Sequence, residues 1–169
     1  MGKVEVEALK KACDKAYDSN KTSCSNAIWD VIREIGDKNE TYRVANVLLD
    51  HMKANWQSVS LEEGFKLANL GVLVVGGAKA DPNGHVIAIY PGEKVTNGGY
   101  PYYYEKEKKY LTLKGNKQLP RCLSTSKSTW PGAMSKGDKT VWDPWGNDLK
   151  FSQVKFYTPK TNSGTSGPT

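Results

Sequence analysis

The apolar pattern of this chain changes period once, near Gly71, and that change limits what it can fold into. Before Gly71 the apolar residues recur at helical spacing; after it they come in short β-rich runs broken by glycine, proline and asparagine. Val6, Leu9, Cys13 and Ala16 predict a first helix over residues 4–17, with lysines on its other face. A second helix is predicted over Cys24–Ile35, with Thr22 and Ser23 as capping residues ahead of it and Gly36 as its stop. A third is expected over residues 41–55. A fourth begins at Ser60, whose spacing to Glu63 makes a capping box, and is expected to end at Gly71.

Beyond that point residues 72–75 form a buried apolar run, Asp81-Pro82-Asn83-Gly84 is a turn, and residues 85–90 form a strand closed by Pro91 and Gly92. The two runs read as a hairpin. Further strands are expected at residues 100–105, 110–113, 119–124, 140–142 and 154–157. Helices followed by strands predict an α+β fold, with N-terminal helices packed on an antiparallel sheet. A chain of 169 residues with 38% hydrophobic content suits one domain, assigned to residues 1–161. The small polar residues 162–169 are read as a flexible tail.

No apolar run approaches the roughly 18 residues of a membrane span, so no membrane partner is expected, and MGKVEVEALKKAC carries no apolar segment of signal-peptide type. Lys and Arg number 24 against 18 acidic residues, a net charge of +6 that favours an anionic partner. Nucleic acid and the carboxylate-bearing bacterial wall both fit that charge. The basic residues are dispersed and neither a phosphate-binding loop nor a nucleic-acid motif occurs, so nucleic acid is not the expected partner. Three cysteines cannot all pair within one chain. With no CxxC pair and two histidines, neither a metal nor another cofactor is expected.

A thiol becomes a strong nucleophile where its thiolate is stabilised, and the unpaired amides of a helix start do this. Cys24 has that position; Cys13 lies mid-helix on an apolar stripe and Cys122 follows Pro120 and Arg121 in a predicted strand. A thiol also needs a base, and His51 and His85 are the two histidines. His51 falls in the third helix near Val44, Val47 and Leu48, the place of a structural histidine. His85 opens a strand just after a turn, where a scaffold presents a side chain to a cleft. A cysteine at a helix start and a histidine at a later strand start is the arrangement of papain-like thiol hydrolases. Tyr100, Tyr102, Tyr103 and Tyr104, with Trp130, Trp142 and Trp145, are candidate walls for a substrate, although alternating tyrosines are also ordinary sheet packing.

The segments SCSNAIWDVIREIG and GVLVVGGAKADPNGHVIAIYPG resemble the type VI secretion amidase effector (Tae) family and the broader NlpC-type papain-like peptidoglycan amidases. The likeness runs from about Lys10 to Gly92. It rests on the Cys24-Ser25 helix start, the apolar strand before the turn, and Gly84-His85-Val86; Ala12-Cys13 matches an upstream pair in the first Tae family. The resemblance implies a papain-like, NlpC-type fold and a cysteine amidase, with Cys24 as nucleophile, His85 as base and the Cys24 amide as an oxyanion donor. It implies an antibacterial toxin acting on peptidoglycan peptide stems in the periplasm of a target cell, and a cognate immunity protein blocking the cleft. The third polar group that family members place beside the histidine is left open among Asn97, a carbonyl near Cys122, Cys122 itself as a cleft residue, and Ser25. A Cys13–Cys122 disulfide also stays open. Alternatives to this activity are a papain-like protease, an acyl-transfer enzyme on another substrate, and a basic binding module without catalysis.

Overall fold

Helical spacing becomes helix and β-rich runs become sheet along the computed structural model of the chain, which describes residues 3–160. The tail assigned to residues 162–169 lies outside the described residues. The order is α1 (Lys3–Ser19), α2 (Cys24–Ile35), α3 (Ala45–Asn55), β1 (Gln57–Val59), α4 (Leu61–Ala68), β2 (Val75–Ala78) and β3 (His85–Thr96). There follow β4 (Pro101–Tyr104), β5 (Lys109–Thr112), β6 (Gln118–Ser124), a 3-10 turn (Pro131–Ala133), β7 (Ser135–Thr140), α5 (Asp148–Phe151) and β8 (Lys155–Thr158). Six strands form one sheet in the order β1-β8-β2-β3-β6-β7, each pair antiparallel, and β4 and β5 form a separate two-stranded ribbon. The fold is α+β, with helices packed on an antiparallel sheet.

The helices dock through their apolar stripes. Leu9, Cys13 and Ala16 of α1, Ile28, Val31 and Ile32 of α2, and Leu48, Leu49 and Met52 of α3 share one core with Val86 to Ile89 of β3. Both α1 and α2 pack on β3, and α3 packs on β2 and β3. The residues that bear on the site are therefore carried by α2 and by the central strand it covers.

Local chemistry accounts for the boundaries. Ser23 caps α2, accepting from the Asn26 amide at 3.3 Å and from Asn26 Nδ2 at 2.8 Å. Ser60 and Glu63 form both halves of the capping box on α4. That helix stops at Ala68, and Gly71 turns the chain just beyond it with φ +85°. The β2–β3 hairpin pairs Ala78 with His85 across the expected turn.

Several boundaries depart from the sequence reading. Helix α3 starts at Ala45 instead of residue 41, because the preceding segment is tied to α2: the Glu40 carbonyl accepts from Trp29 Nε1 at 2.8 Å and Tyr42 Oη lies 2.7 Å from Ser25 Oγ. Strand β2 falls on Val75–Ala78 rather than 72–75. Its glycines are central, since Phe156 lies over Gly76, where a Cβ would sit 2.5 Å from the ring. Strand β3 runs on through Pro91 and Gly92, because its register with β6 shifts between Tyr90 and Val95 and the missing proline N–H falls in that irregularity. The strand expected at 140–142 is displaced to Ser135–Thr140, since Asp143 accepts from the Thr140 amide and hydroxyl and turns the chain there. The short β1 and the single-turn α5 carry no apolar period that would announce them.

Ile28 is 1% exposed at the centre of the α2 face. Ile28→Ala is expected to cost about 2–5 kcal/mol, read from the urea unfolding midpoint.

Candidate active site

The first turn of α2 delivers Cys24 to the sheet with its backbone donors unspent. The first intrahelical bond at this end runs from the Ala27 amide to the Ser23 carbonyl, and the Asn26 amide goes to the Ser23 side chain. The Cys24 and Ser25 amides precede these, as expected of the orphan donors of a helix start. They lie against the Cys24 sulfur, together with the Val86 amide of β3. The sulfur thus sits one residue along the backbone from His85. Burial raises the Cys24 thiol above its ordinary value, and the Val86, Ser25 and Cys24 amides pull the other way. Burial prevails, so the thiol stays protonated in the resting protein.

His85 opens β3 where the hairpin turn is held from outside. Asn46 of α3 donates through Nδ2 to the Ala80 carbonyl at 2.8 Å and accepts from the Ala80 amide through Oδ1 at 3.2 Å. Gly84 is needed beside it, because a Cβ there would collide with Asn46 Oδ1 and with the Ala78 carbonyl. The imidazole and the Trp145 ring make a T-shaped contact, with centroids 5.4 Å apart and planes at 68°. Its Nε2 is 2.8 Å from Ser124 Oγ.

The Ser124 hydroxyl settles the histidine tautomer by counting protons. A serine hydroxyl has one hydrogen, and here it is donated to the Ala133 carbonyl at 2.7 Å. Ser124 Oγ can therefore only accept from His85, which places the ring proton on Nε2 and leaves Nδ1 as the basic nitrogen. Burial lowers the His85 pKa to about 4, so the ring is neutral at pH 7.

Cys24, Ser25 and His85 line one open cleft of about 600 Å³, bounded by Val44 and Ala45 on the α3 side and by Ser126 to Ser128 and Pro144 on the other. Ser25 is 8% exposed and its hydroxyl is engaged with Tyr42. The other candidates are elsewhere. Asn97 closes the far end of β3, its Oδ1 accepting from the Lys117 amide at 3.0 Å, so its work is to join that end to the chain before β6. Cys122 is fully buried, donates from Sγ to the Thr140 carbonyl at 3.3 Å, and does not line the cleft. Cys13, Cys24 and Cys122 are free thiols. His51 is a structural residue of α3, with Nε2 3.4 Å from Glu40 and Nδ1 facing Asn55.

Three residues that the motifs did not single out for the site take part in this geometry: Ser124, Asn46 and Lys127 on the cleft rim; Trp145, a candidate substrate wall in the sequence, packs on the His85 ring. The one available signal for Ser124 was strand alternation, which puts it on the same face as Cys122, two residues back. Among the described residues there is no cluster of three His, Cys, Asp or Glu side chains fit to hold a metal ion. No described helix is long and apolar enough to cross a membrane.

The His85 pKa of about 4 in the folded chain, against 6.5 for the ordinary ring, ties stability to pH. Below 6.5 the unfolded chain binds a proton that the folded chain refuses. This contribution is therefore complete above 6.5 and is lost as pH falls toward 4. It amounts to at most about 3 kcal/mol, and less to the extent that cleft water reaches the ring. Urea unfolding at pH 7 and pH 4.5 is expected to show a larger acid loss for the wild type than for His85→Gln; equal losses would contradict the assignment. Comparison with known proteins adds no family to this geometry: no protein-family model matches the chain, and no curated protein matches it.

Proposed function

We propose that the protein is a cysteine amidase that cuts an amide bond in the peptide stem or cross-link of bacterial peptidoglycan, with Cys24 as nucleophile and His85 as general base in a papain-like arrangement. The observation that carries this reading is the shared cleft, lined both by a helix-start thiol and by an imidazole whose proton is held on Nε2 by Ser124. The thiol proton passes to His85 Nδ1 as Sγ attacks the amide carbonyl. The Cys24 and Ser25 amides, both at the unpaired end of α2, receive the developing oxyanion. The carbon–nitrogen bond then breaks, the imidazolium gives its proton to the leaving amine, and a thioester remains on Cys24. Water, deprotonated at Nδ1, attacks that thioester, releases a carboxylic acid and restores the thiol.

Peptidoglycan is the preferred substrate on two grounds. The Cys24-Ser25 helix start and Gly84-His85-Val86 resemble the Tae and NlpC-type amidases. Among the described residues lining the cleft, Lys127 is the sole lysine, arginine or carboxylate side chain, and it stands with the hydroxyls of Thr22, Ser23, Ser126 and Ser128. A cationic rim without opposing carboxylates suits a peptide that carries free carboxylates, as wall stems do. The same resemblance makes the protein an antibacterial toxin of type VI secretion, acting in the periplasm of a target cell and inhibited by an immunity protein seated over Cys24.

Purified wild type is expected to release new peptide fragments from Gram-negative muropeptides, identified by chromatography and mass spectrometry. Cys24→Ala is expected to release at least about a thousandfold less. Intact muropeptides after incubation with folded wild type would remove the peptidoglycan reading. The pH profile carries a separate expectation. Because His85 is a base only when neutral, kcat/KM should rise through about pH 4 and then stay level through neutral pH, where the thiol is still protonated. An acid limb at about pH 7 would instead indicate an imidazole in its ordinary range.

A further inference from the structure

The catalytic cleft does not end at its rim. Ser128 and Pro144 line it on one side and also line a second hollow of about 450 Å³, whose walls include Trp130, Tyr102, Trp145 and Gly146. From His85 outward the surface is aromatic: Trp145 meets the His85 ring, and Trp130 makes T-shaped contacts with Tyr102 at 5.4 Å and Tyr100 at 6.4 Å between centroids. Trp130, Tyr102 and Trp145 are each partly open to solvent. All three rings line the hollow.

The shelf is held rigid from behind. Asp143, 1% exposed, accepts from the Tyr100 hydroxyl at 2.8 Å and the Gly98 amide at 2.9 Å through one oxygen. Through the other it accepts from the Thr140 amide and hydroxyl, and its backbone carbonyl accepts from Trp130 Nε1 at 2.7 Å. Gly146, with φ +76°, brings bare backbone against Trp130; a Cβ there would lie 2.6 Å from the ring. A buried carboxylate with every lone pair engaged and a glycine under the indole fix the tryptophan in place before any ligand arrives.

Polar groups border the rings. Asn147, whose Oδ1 accepts from the Lys150 amide, and Lys150 both line the same hollow. Ring faces bounded by amide and ammonium donors match the chemistry of a sugar, whose axial C–H bonds pack on an aromatic face while its hydroxyl and acetamido oxygens accept hydrogen bonds.

We propose that this shelf is a saccharide subsite that holds the amino-sugar part of a glycopeptide while the attached peptide lies across Cys24. The proposal deepens the amidase reading and rests on it for the identity of the peptide. It makes the sugar-bearing muropeptide, rather than the free stem peptide, the substrate that the site recognises.

Two measurements keep the two ideas apart. The first is titration of the folded Cys24→Ala protein with a peptide-free disaccharide of N-acetylated amino sugars, followed by tryptophan fluorescence. A saturable change is expected, weakened about tenfold in Tyr102→Ala, a residue on the β4–β5 ribbon outside the main core. No saturable change, or one unaltered in a folded Tyr102→Ala, would overturn the subsite. The second compares kcat/KM for a muropeptide with that for the same stem freed of its sugar. A preference of about tenfold for the sugar-bearing form is expected in the wild type, shrinking toward one in Tyr102→Ala. Equal cleavage of both substrates would overturn the subsite and keep the amidase; sugar binding with neither substrate cut would keep the subsite and overturn the amidase.

Discussion

The seating of α2 on β3 is the contact on which the candidate site depends. One face of that helix supplies Ile28, Val31 and Ile32 to the core, and its first turn places Cys24 against the Val86 amide. Apolar burial thus positions the Cys24 thiol. A shift of the helix along the strand by a single turn, about 5 Å, would part the sulfur from the Val86 amide altogether. Asn46 performs the matching task from the other side by holding the turn that begins β3, so each half of the pair is fixed by a different helix.

Ser124 shows how a neutral hydroxyl can do the orienting work for which carboxylates are better known. Its single hydrogen is committed to the Ala133 carbonyl, which decides the direction of the bond to His85. A carboxylate in that place would raise the imidazole pKa, whereas a hydroxyl leaves burial to lower it. Imidazole and thiol are thus both neutral at pH 7.

Much of this was legible in the sequence where the signal was local. Helix α2 begins and ends where Ser23 and Gly36 predict, and the capping box of α4 and the β2–β3 hairpin were equally readable from short-range chemistry. Cys24 and His85 were marked by their places at a helix start and a strand start, and the fold brings both to one cleft. What depended on long-range pairing was not readable. Asn97 follows His85 by only 12 positions, yet an uninterrupted strand carries it to the opposite end of the sheet. Ser124 lies 39 positions beyond His85 and reaches it only because β6 pairs with β3. The β4–β5 ribbon was visible as two short runs, the first rich in tyrosine, but nothing in their alternation revealed that they pair apart from the main sheet.

A thiol kept protonated by its own burial is also a thiol that peroxide and disulfides attack slowly, since both react with the thiolate. Cys13 and Cys122 are buried more deeply and are pushed further in the same direction. All three sulfurs therefore carry less thiolate, the form that oxidants attack, than an exposed free thiol would.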